Sequence, residues 1–277
     1  MKSYEIVTVA THYEGMLESL VHNKYNEEIK ILGMGQKWTG FKMKYDLIYD
    51  YIEDLPDDMI IIFLDGFDSE IVGPVDKAIE RFKQQHYKLL FSVEVYSNGF
   101  GLEEIIFPKC NNNKYFANTG LYMGYVKELK EVLRACIQEK CKDDQVILNN
   151  LCKIFPYVGV DDKEVIFQNI KHPMFSFGQQ TYNNEAIFIS YPGYPTLKRI
   201  GRCFIEYTQF ILPYLFLLYL LIIWLILKYS KQKTLILSIF TGLFFLWLYF
   251  IDYSCVSCYT FYSSFLFPNS KCVNKSI

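Results

Sequence analysis

Two aspartates that follow an apolar stretch are the residues best suited to chemistry in this sequence. Asp65 and Asp68 come directly after the uncharged run Met59–Leu64 and are separated by Gly66 and Phe67. Such a run predicts a strand buried on both faces, and open α/β sheets bind ligands beyond the carboxyl ends of such strands. Carboxylate oxygens suit hard cations such as Mn²⁺ or Mg²⁺, so the pair predicts a divalent metal site. The alternative is a surface turn, because Asp and Gly are common turn residues.

Three further polar segments are candidates for binding or catalysis, and each has a plain structural alternative. Asp143 and Asp144 precede an apolar stretch, where acidic residues also serve to cap a helix. Asn118, in the tripeptide Asn-Thr-Gly, can hydrogen-bond a sugar hydroxyl, although the same tripeptide is typical of a turn. The loop Tyr191–Lys198 combines Pro and Gly with a Lys that can meet a phosphate, or it simply connects two elements. From the residues alone, both interpretations stay open for each segment.

Alternating apolar patterns predict the elements that must position these residues. Strand-like runs alternate with helical spacings, and this order is typical of an α/β fold around a mostly parallel sheet. The predicted strands are Tyr4–Ala10, Ile29–Leu32, Met59–Leu64, Lys88–Val93 and Asn118–Tyr125. The predicted helices are Glu14–His22, Lys42–Glu53, Pro74–Gln85, Lys127–Lys140 and Asp143–Lys153. Residues 154–200 predict short strands and loops.

Two charge-free segments stand apart from this alternation. Phe210–Leu227 and Thr234–Ile251 contain no charged residue, and each has about the length of a bilayer-spanning helix. Because only the six residues Lys228–Lys233 separate them, they predict an antiparallel transmembrane hairpin. We therefore expect an integral membrane protein of an endomembrane compartment such as the ER or Golgi, with membrane lipid as a partner. The side of the membrane that the preceding domain faces is left open.

Composition and charge narrow the function classes. Of the 277 residues, 51% are hydrophobic and 21% are charged, so global disorder is excluded. The formal net charge is −2, and the excess of acidic residues lies before residue 203. A domain of that charge has no general attraction for nucleic acid, so we expect no nucleic-acid partner.

The eight cysteines give no clear framework. Cys255 and Cys258 have the spacing CxxC, but a zinc site needs four ligands and only Cys272 lies nearby. A disulfide is the better interpretation if this segment is extracytoplasmic. The others are expected to be core or surface thiols: Cys110, Cys136, Cys141, Cys152 and Cys203.

Seven short segments occur in an order that is specific, although any one alone is weak evidence. They are Thr8–Thr11 (TVAT), Leu32–Gly35 (LGMG), Asp58–Asp68 (DMIIIFLDGFD), Leu89–Glu94 (LLFSVE), Phe116–Gly124 (FANTGLYMG), Asp143–Gln145 (DDQ) and Ile166–Asn169 (IFQN). In this order the chain resembles the glycosyltransferase domain of the procollagen lysyl hydroxylase/glycosyltransferase family, over roughly the first 200 residues.

The resemblance implies a GT-A fold with a UDP-sugar donor and Mn²⁺ (or Mg²⁺) as cofactor. It implies that Asp65 and Asp68 are metal ligands, and that Asn118, Asp143 and Asp144 are catalytic residues facing the sugar or the acceptor. The expected nucleotide-binding residues are Thr8, Val9, Ala10, Thr11, Phe67, Gly193 and Lys198. The expected reaction transfers glucose or galactose to a hydroxyl of a protein or glycan, such as a hydroxylysine or galactosyl-hydroxylysine-like group.

The chain departs from this family at the last metal position. The family has a His in an HGNGPTK-like loop, and here Ser190 or Tyr191 stands at that position, depending on the alignment. Both are poorer ligands for Mn²⁺. One alternative is therefore a nucleotide-sugar-binding protein with weakened catalysis, and another is a structural membrane protein with a degenerate domain.

The predicted organisation has three parts. Residues 1–202 form the glycosyltransferase domain, residues 203–252 the transmembrane hairpin, and residues 253–277 a short Cys-containing tail. The chain has four His and no His-x-Asp motif, so we expect no hydroxylase activity.

Overall fold

The computed structural model describes residues 3–94, 109–110, 115–141, 143–170, 183–192, 212–229 and 233–250. The strands are β1 (Tyr4–Val9), β2 (Ile29–Leu32), β3 (Ile60–Leu64), β4 (Ser69–Ile71), β5 (Leu89–Val93), β6 (Ala117–Tyr125), β7 (Val158–Asp161), β8 (Phe167–Asn169) and β9 (Phe188–Ser190). The helices are α1 (Leu17–Val21), α2 (Lys42–Ile52), α3 (Val75–Lys83), α4 (Val126–Gln138), α5 (Asp144–Leu151), α6 (Leu212–Tyr229) and α7 (Lys233–Phe250). Helices and strands alternate as predicted, except that the sequence pattern did not predict β4.

A six-stranded sheet in the order β2-β1-β3-β6-β5-β7 forms the centre of the fold. The pairs β1–β2, β1–β3 and β5–β7 are parallel, whereas β6 runs antiparallel to both β3 and β5. The strands β4, β9 and β8 form a second, three-stranded sheet in that order. The predicted α/β class with a mostly parallel sheet is confirmed, and this mixed sheet fits a GT-A-like fold.

The central strand β3 is buried on both faces, which explains why its sequence does not alternate. Ile60, Ile62 and Leu64 belong to a core shared with α1 and α3. Ile61 and Phe63 belong to the opposite core, shared with α2, α4 and α5. Burial of each such side chain contributes roughly 1.5–3 kcal/mol. The carboxyl end of β3 is therefore a rigid base for the residues that follow it.

The helices α6 and α7 pack against each other as an antiparallel pair. The ring of Tyr219 lies 4.1 Å from that of Phe244, and its hydroxyl lies 3.1 Å from Thr241 Oγ1. Among the described residues, none of the helices has the length and apolar character needed to cross a bilayer. The predicted transmembrane spans and integral membrane localisation are therefore wrong, and the predicted lipid partner loses its basis.

The physical reason for this correction is helix length. In α6 the described charge-free stretch ends before Lys228, and in α7 it begins only after Lys233. At 1.5 Å per residue each stretch rises about 24–26 Å, against a hydrocarbon core of about 30 Å.

The cysteines differ from the expectation at one pair. Cys110 and Cys152 form a disulfide with a Cα–Cα distance of 5.5 Å, whereas Cys136 and Cys141 are buried thiols as expected. The bonded cysteines are 42 residues apart, a separation that carries no signal in the sequence. The other predicted positions, Cys203 and the CxxC pair, lie outside the described residues, as does the predicted boundary at residue 202.

Candidate active site

The reversed direction of β6 places its first residues beside the carboxyl ends of β3 and β5. Asn118 pairs with Ser92 near the end of β5, and the backbone N–H of Asp65 donates to the carbonyl oxygen of Gly120 over 2.8 Å. The tripeptide that begins at Asn118 is therefore part of a strand rather than a turn. Because β6 is antiparallel to its neighbours, its amino end meets their carboxyl ends, and Asn118 and Asp65 lie at one edge of the sheet.

A buried lysine from α2 joins two of the predicted carboxylates. Lys44 Nζ lies 2.6 Å from Asp144 Oδ2 and 3.7 Å from Asp65 Oδ2, and the lysine side chain is only 9% exposed. Thr119 Oγ1 donates to the same Asp144 oxygen over 2.7 Å. We call these four residues the Lys44 cluster.

The electrostatic balance of the Lys44 cluster keeps its lysine charged. Burial acts to lower the pKa of Lys44, but the negative charges of Asp144 and Asp65 outweigh it and raise that pKa above its ordinary value. The cluster therefore contains a permanent cation between two carboxylates from different elements.

The two adjacent acidic residues of α5 have different contacts. Asp143 is the N-cap residue, and its Oδ1 accepts from the backbone N–H of Val146 over 2.9 Å. Asp144 belongs to the Lys44 cluster, and its backbone carbonyl accepts from the Tyr45 hydroxyl over 2.7 Å. The helix-cap interpretation therefore describes Asp143, and Asp144 is the acid that reaches the carboxyl edge of the sheet.

The amide of Asn118 is held at both of its ends. Its Nδ2 donates to Glu94 Oε2 over 2.7 Å, and its Oδ1 accepts from the backbone N–H of Gly120 over 2.6 Å. Gln145 Nε2 donates to the same Glu94 oxygen over 2.7 Å. Glu94, which directly follows β5, thus connects Asn118 to the first turn of α5.

Asp68 lies near the small sheet and is paired with a hydroxyl. Ser190 Oγ donates to Asp68 Oδ1 over 3.0 Å, whereas the Tyr191 hydroxyl donates to Glu70 Oε1 over 2.6 Å. We call Asp68 and Ser190 the Ser190 pair. Of the two candidates for the family's His position, Ser190 is the one whose side chain contacts Asp68.

The predicted nucleotide-binding segment forms the end of β1 and the turn beyond it. Thr8 is buried and its Oγ1 donates to the carbonyl oxygen of Leu64 over 2.7 Å. A Cβ on Gly66 would lie 2.9 Å from Thr8 Oγ1, so glycine allows the turn after β3 to approach β1. Val9 and Ala10 are buried as well.

The other predicted nucleotide-binding residues are partly accessible or outside the described structure. Thr11 and Phe67 are half-buried, and the Phe67 ring lies 5.3 Å from the ring of His12. The backbone N–H of Met16 donates to the Phe67 carbonyl oxygen over 2.9 Å, which fixes the turn. Gly193 and Lys198 lie outside the described residues.

Asp65 and Asp68 are the two carboxylates that the sequence predicts as metal ligands. Within the described ranges, no group of three or more His, Cys, Asp or Glu residues is placed to hold a metal. Asp65 and Asp68 are oxygen donors at one strand end, and hard cations are commonly held by one or two carboxylates together with substrate phosphates. The chemistry of this donor set fits such a cation.

Sequence reasoning missed Lys44 and Glu94 as site residues. A signal for Lys44 does exist, because it lies four and eight residues before Ile48 and Ile52, on the buried face of α2. A charge on an apolar helix face calls for a buried partner of opposite sign. Glu94 follows the largely apolar strand β5, which places it at the same edge of the sheet as Asp65.

Comparison with known proteins gives a consistent result. The PLOD GT domain family model matches residues 1–191. The human multifunctional procollagen lysine hydroxylase and glycosyltransferase LH3 is 28% identical over 183 residues, which cover 60% of this chain and 25% of that protein. The multifunctional procollagen lysine hydroxylase and glycosyltransferase of Caenorhabditis elegans is 28% identical over 185 residues, with the same coverage of 60% and 25%.

Two further similarities complete the comparison. Procollagen-lysine,2-oxoglutarate 5-dioxygenase 1 of Gallus gallus is 26% identical over 164 residues, covering 53% of this chain and 22% of that protein. The chain therefore spans about a quarter of the length of the curated relatives it matches. The crystal structure of A197 from STIV gives a TM-score of 0.39 at 13% identity, covering 56% of this chain and 79% of that chain.

Proposed function

The chain belongs to the PLOD GT domain family, a family of glycosyltransferase domains, and on this premise we propose that it transfers glucose or galactose from a UDP-sugar to a hydroxyl acceptor in a Mn²⁺-dependent reaction. The names of the relatives point to collagen-type lysine as the substrate context. We therefore propose a hydroxylysine or a galactosyl-hydroxylysine-like group as the acceptor.

One observation carries the proposal: the predicted chemical residues meet at one edge of the central sheet. Asp65, Asn118 and Asp144 come from three different elements, and hydrogen bonds or ion pairs connect each to its neighbours. In α/β sheets this edge is where ligands bind.

The proposed roles follow from position. Asp65 and Asp68 would hold the cation, which when bound would counter the negative charge that develops on the departing diphosphate. Asn118 has its amide fixed in one orientation, which suits a hydrogen bond to a sugar hydroxyl. Asp144 Oδ2 already receives Lys44 and Thr119, so we assign contact with the acceptor hydroxyl to its Oδ1.

The test is release of UDP by the purified full chain incubated with UDP-glucose or UDP-galactose, Mn²⁺ and a hydroxylysine peptide. We expect release from one donor, stimulation by the peptide, and loss of both on adding EDTA. Asp143→Asn serves as a matched control for Asp144→Asn, because Asn can still cap α5 at position 143, whereas the second substitution changes the charge of the Lys44 cluster. Failure to release UDP from either donor would refute the proposed transfer reaction.

A second candidate is a nucleotide-sugar-binding protein without turnover. The observation that favours it is the Ser190 pair, in which a neutral hydroxyl contacts Asp68. Serine is a poorer ligand for Mn²⁺ than the imidazole of the family's His. Calorimetric binding of UDP without release of UDP from either donor would select this candidate.

A further inference from the structure

Lys44 is a buried cation that contacts two elements other than its own. It extends from α2 to Asp144 in the first turn of α5 and to Asp65 after β3, at 2.6 Å and 3.7 Å. Asp144 is itself only 5% exposed. Charges taken out of water in this way are tolerated only when they are closely paired and hydrogen-bonded.

The hydrogen bonds around Asp144 complete this pairing. Thr119 donates to the carboxylate from β6, and Tyr45, the neighbour of Lys44, donates to the backbone carbonyl of Asp144. The acidic residue is thus held by its side chain and by its main chain. All of these contacts act on the first turn of α5.

The rest of α5 is attached to the sheet independently of Lys44. Asn149 Nδ2 donates to the carbonyl oxygen of Ala117 over 2.8 Å, and Asn149 Oδ1 accepts from the Ala117 N–H over 2.8 Å. The disulfide of Cys152 fastens the end of the helix. Loss of Lys44 would therefore leave α5 on the sheet but remove the ion pair that holds the Asp144 carboxylate in its first turn.

We infer that Lys44 is a positioning residue, whose ammonium group fixes the Asp144 carboxylate beside Asp65 at the carboxyl end of β3. This inference deepens the proposed function and rests on it for the assignment of Asp144 to the acceptor. Lys44 itself needs no contact with substrate. Its effect on the reaction passes through the orientation of Asp144.

The experiment compares Lys44→Met with Lys42→Met, a lysine two residues away on the same helix. Lys42 Nζ contacts only backbone carbonyls in the described structure, those of Ile137 and Glu139 at 2.7 Å and 2.6 Å. Amide hydrogen exchange is measured over residues 144–148 in the full chain. We expect exchange there to be at least about tenfold faster in Lys44→Met, as local opening becomes easier, and unchanged in Lys42→Met.

The kinetic arm uses the same two variants. A misplacement of about 1 Å can cost about 100-fold in rate, so we expect kcat of Lys44→Met to fall by that order while the donor KM changes by less than about threefold. Lys42→Met should keep both constants. Unchanged exchange in the first turn of α5, or a kcat of Lys44→Met within twofold of wild type, would overturn the inference.

A third arm keeps the test valid if Lys44→Met folds poorly. That variant should lower Tm by about 10 °C, because it leaves Asp144 buried without its closest cation. Adding Asp144→Asn should restore at least half of the loss, since the pair is then neutral. Additive losses in this cycle would contradict the proposed pairing.

These readouts separate the inference from the function on which it rests. If the wild-type chain releases no UDP from either donor, the proposed function fails. The exchange rates and the melting cycle still decide whether Lys44 fixes Asp144.

Discussion

The two ends of the candidate site are built in different ways. In the Lys44 cluster a buried ammonium contacts two carboxylates within the protein, and Thr119 adds a hydrogen bond. In the Ser190 pair a half-buried carboxylate receives a neutral hydroxyl, which adds no positive charge. The comparison teaches that a lysine contacts the carboxylates directly at one end, whereas at the other end Asp68 contacts a hydroxyl and interacts with the charge of Lys44 from farther away. We expect a cation from solution to act at this second end.

The largest expected effect is on the Lys44 cluster. Asp144→Ala removes its closest carboxylate and leaves Lys44 buried with Asp65 at 3.7 Å. Breaking a buried pair from one side costs about 3–5 kcal/mol. Urea denaturation of the full chain should show a loss of this size in the free energy of unfolding.

The adjacent acid provides the control for this measurement. Asp143→Ala removes the N-cap of α5 and should cost only about 1 kcal/mol. Equal losses from the two substitutions would show that the ion pair with Lys44 is not what stabilises this end of the site.

The next effect concerns the far end of the same helix. Replacing both Cys110 and Cys152 by Ser removes a bond that closes a loop across 42 residues of sequence. Such a bond contributes about 2–4 kcal/mol to the free energy of unfolding. Denaturation of the double variant should show this loss, and wild-type protein in reductant should match it. A double variant as stable as the oxidised wild type would mean that the bond is not formed in solution.

At the Ser190 pair we expect an effect on binding rather than on stability. Asp68→Ala should lower the affinity for UDP in the presence of Mn²⁺ by at least about tenfold. Even residues that contact only the ligands of a metal typically change its affinity by this factor. Calorimetry measures the affinity, and Tm should change little because Asp68 is half-buried.

Asp58→Ala is the matched control, because Asp58 is exposed at the opposite end of β3. If UDP affinity is insensitive to EDTA and to both substitutions, Asp68 does not belong to a metal site.

The smallest expected effect comes from adding a metal-binding side chain at the Ser190 pair. Ser190→His places an imidazole beside Asp68 and should tighten Mn²⁺ about tenfold, which corresponds to about 1.4 kcal/mol. Tyr191→His should not, because the Tyr191 side chain reaches Glu70. Electron paramagnetic resonance of bound Mn²⁺ measures both variants. If Ser190→His and Tyr191→His bind Mn²⁺ with equal affinity, Ser190 does not occupy the position of the family's metal-binding His.

Local patterns were sufficient to predict most elements and two of the site aspartates. The continuous apolar run of β3 and the acids after it, Asp65 and Asp68, are visible because each depends on neighbours in the sequence. The three-residue strand β4 was missed because it is too short for a period to be recognised. The predicted spans were wrong because neither described apolar helix has the length and apolar character needed to cross a bilayer.

What the sequence could not show are contacts between distant segments. The direction of β6 leaves no mark on its pattern, since a strand alternates in the same way in either direction. The pairing of Lys44 with Asp144 and the bond between Cys110 and Cys152 depend on that packing. A buried charge on α2 indicates that a partner exists, but only the fold identifies the partner.

The place of β6 also determines when the sheet can be completed during synthesis. In the described sheet, β2-β1-β3 and β5-β7 share no ladder except through β6. Both neighbours of β6, the strands β3 and β5, are synthesised before it. In a nascent chain that has not yet emerged as far as Tyr125, the ladder β2-β1-β3 and the strand β5 are therefore not joined. Their open edges favour wrong pairing. We expect ribosome-bound chains ending before Ala117 to be digested by protease, and chains that have emerged past the end of β7 to be resistant. Equal resistance of the two would show that the first three strands fold without β6.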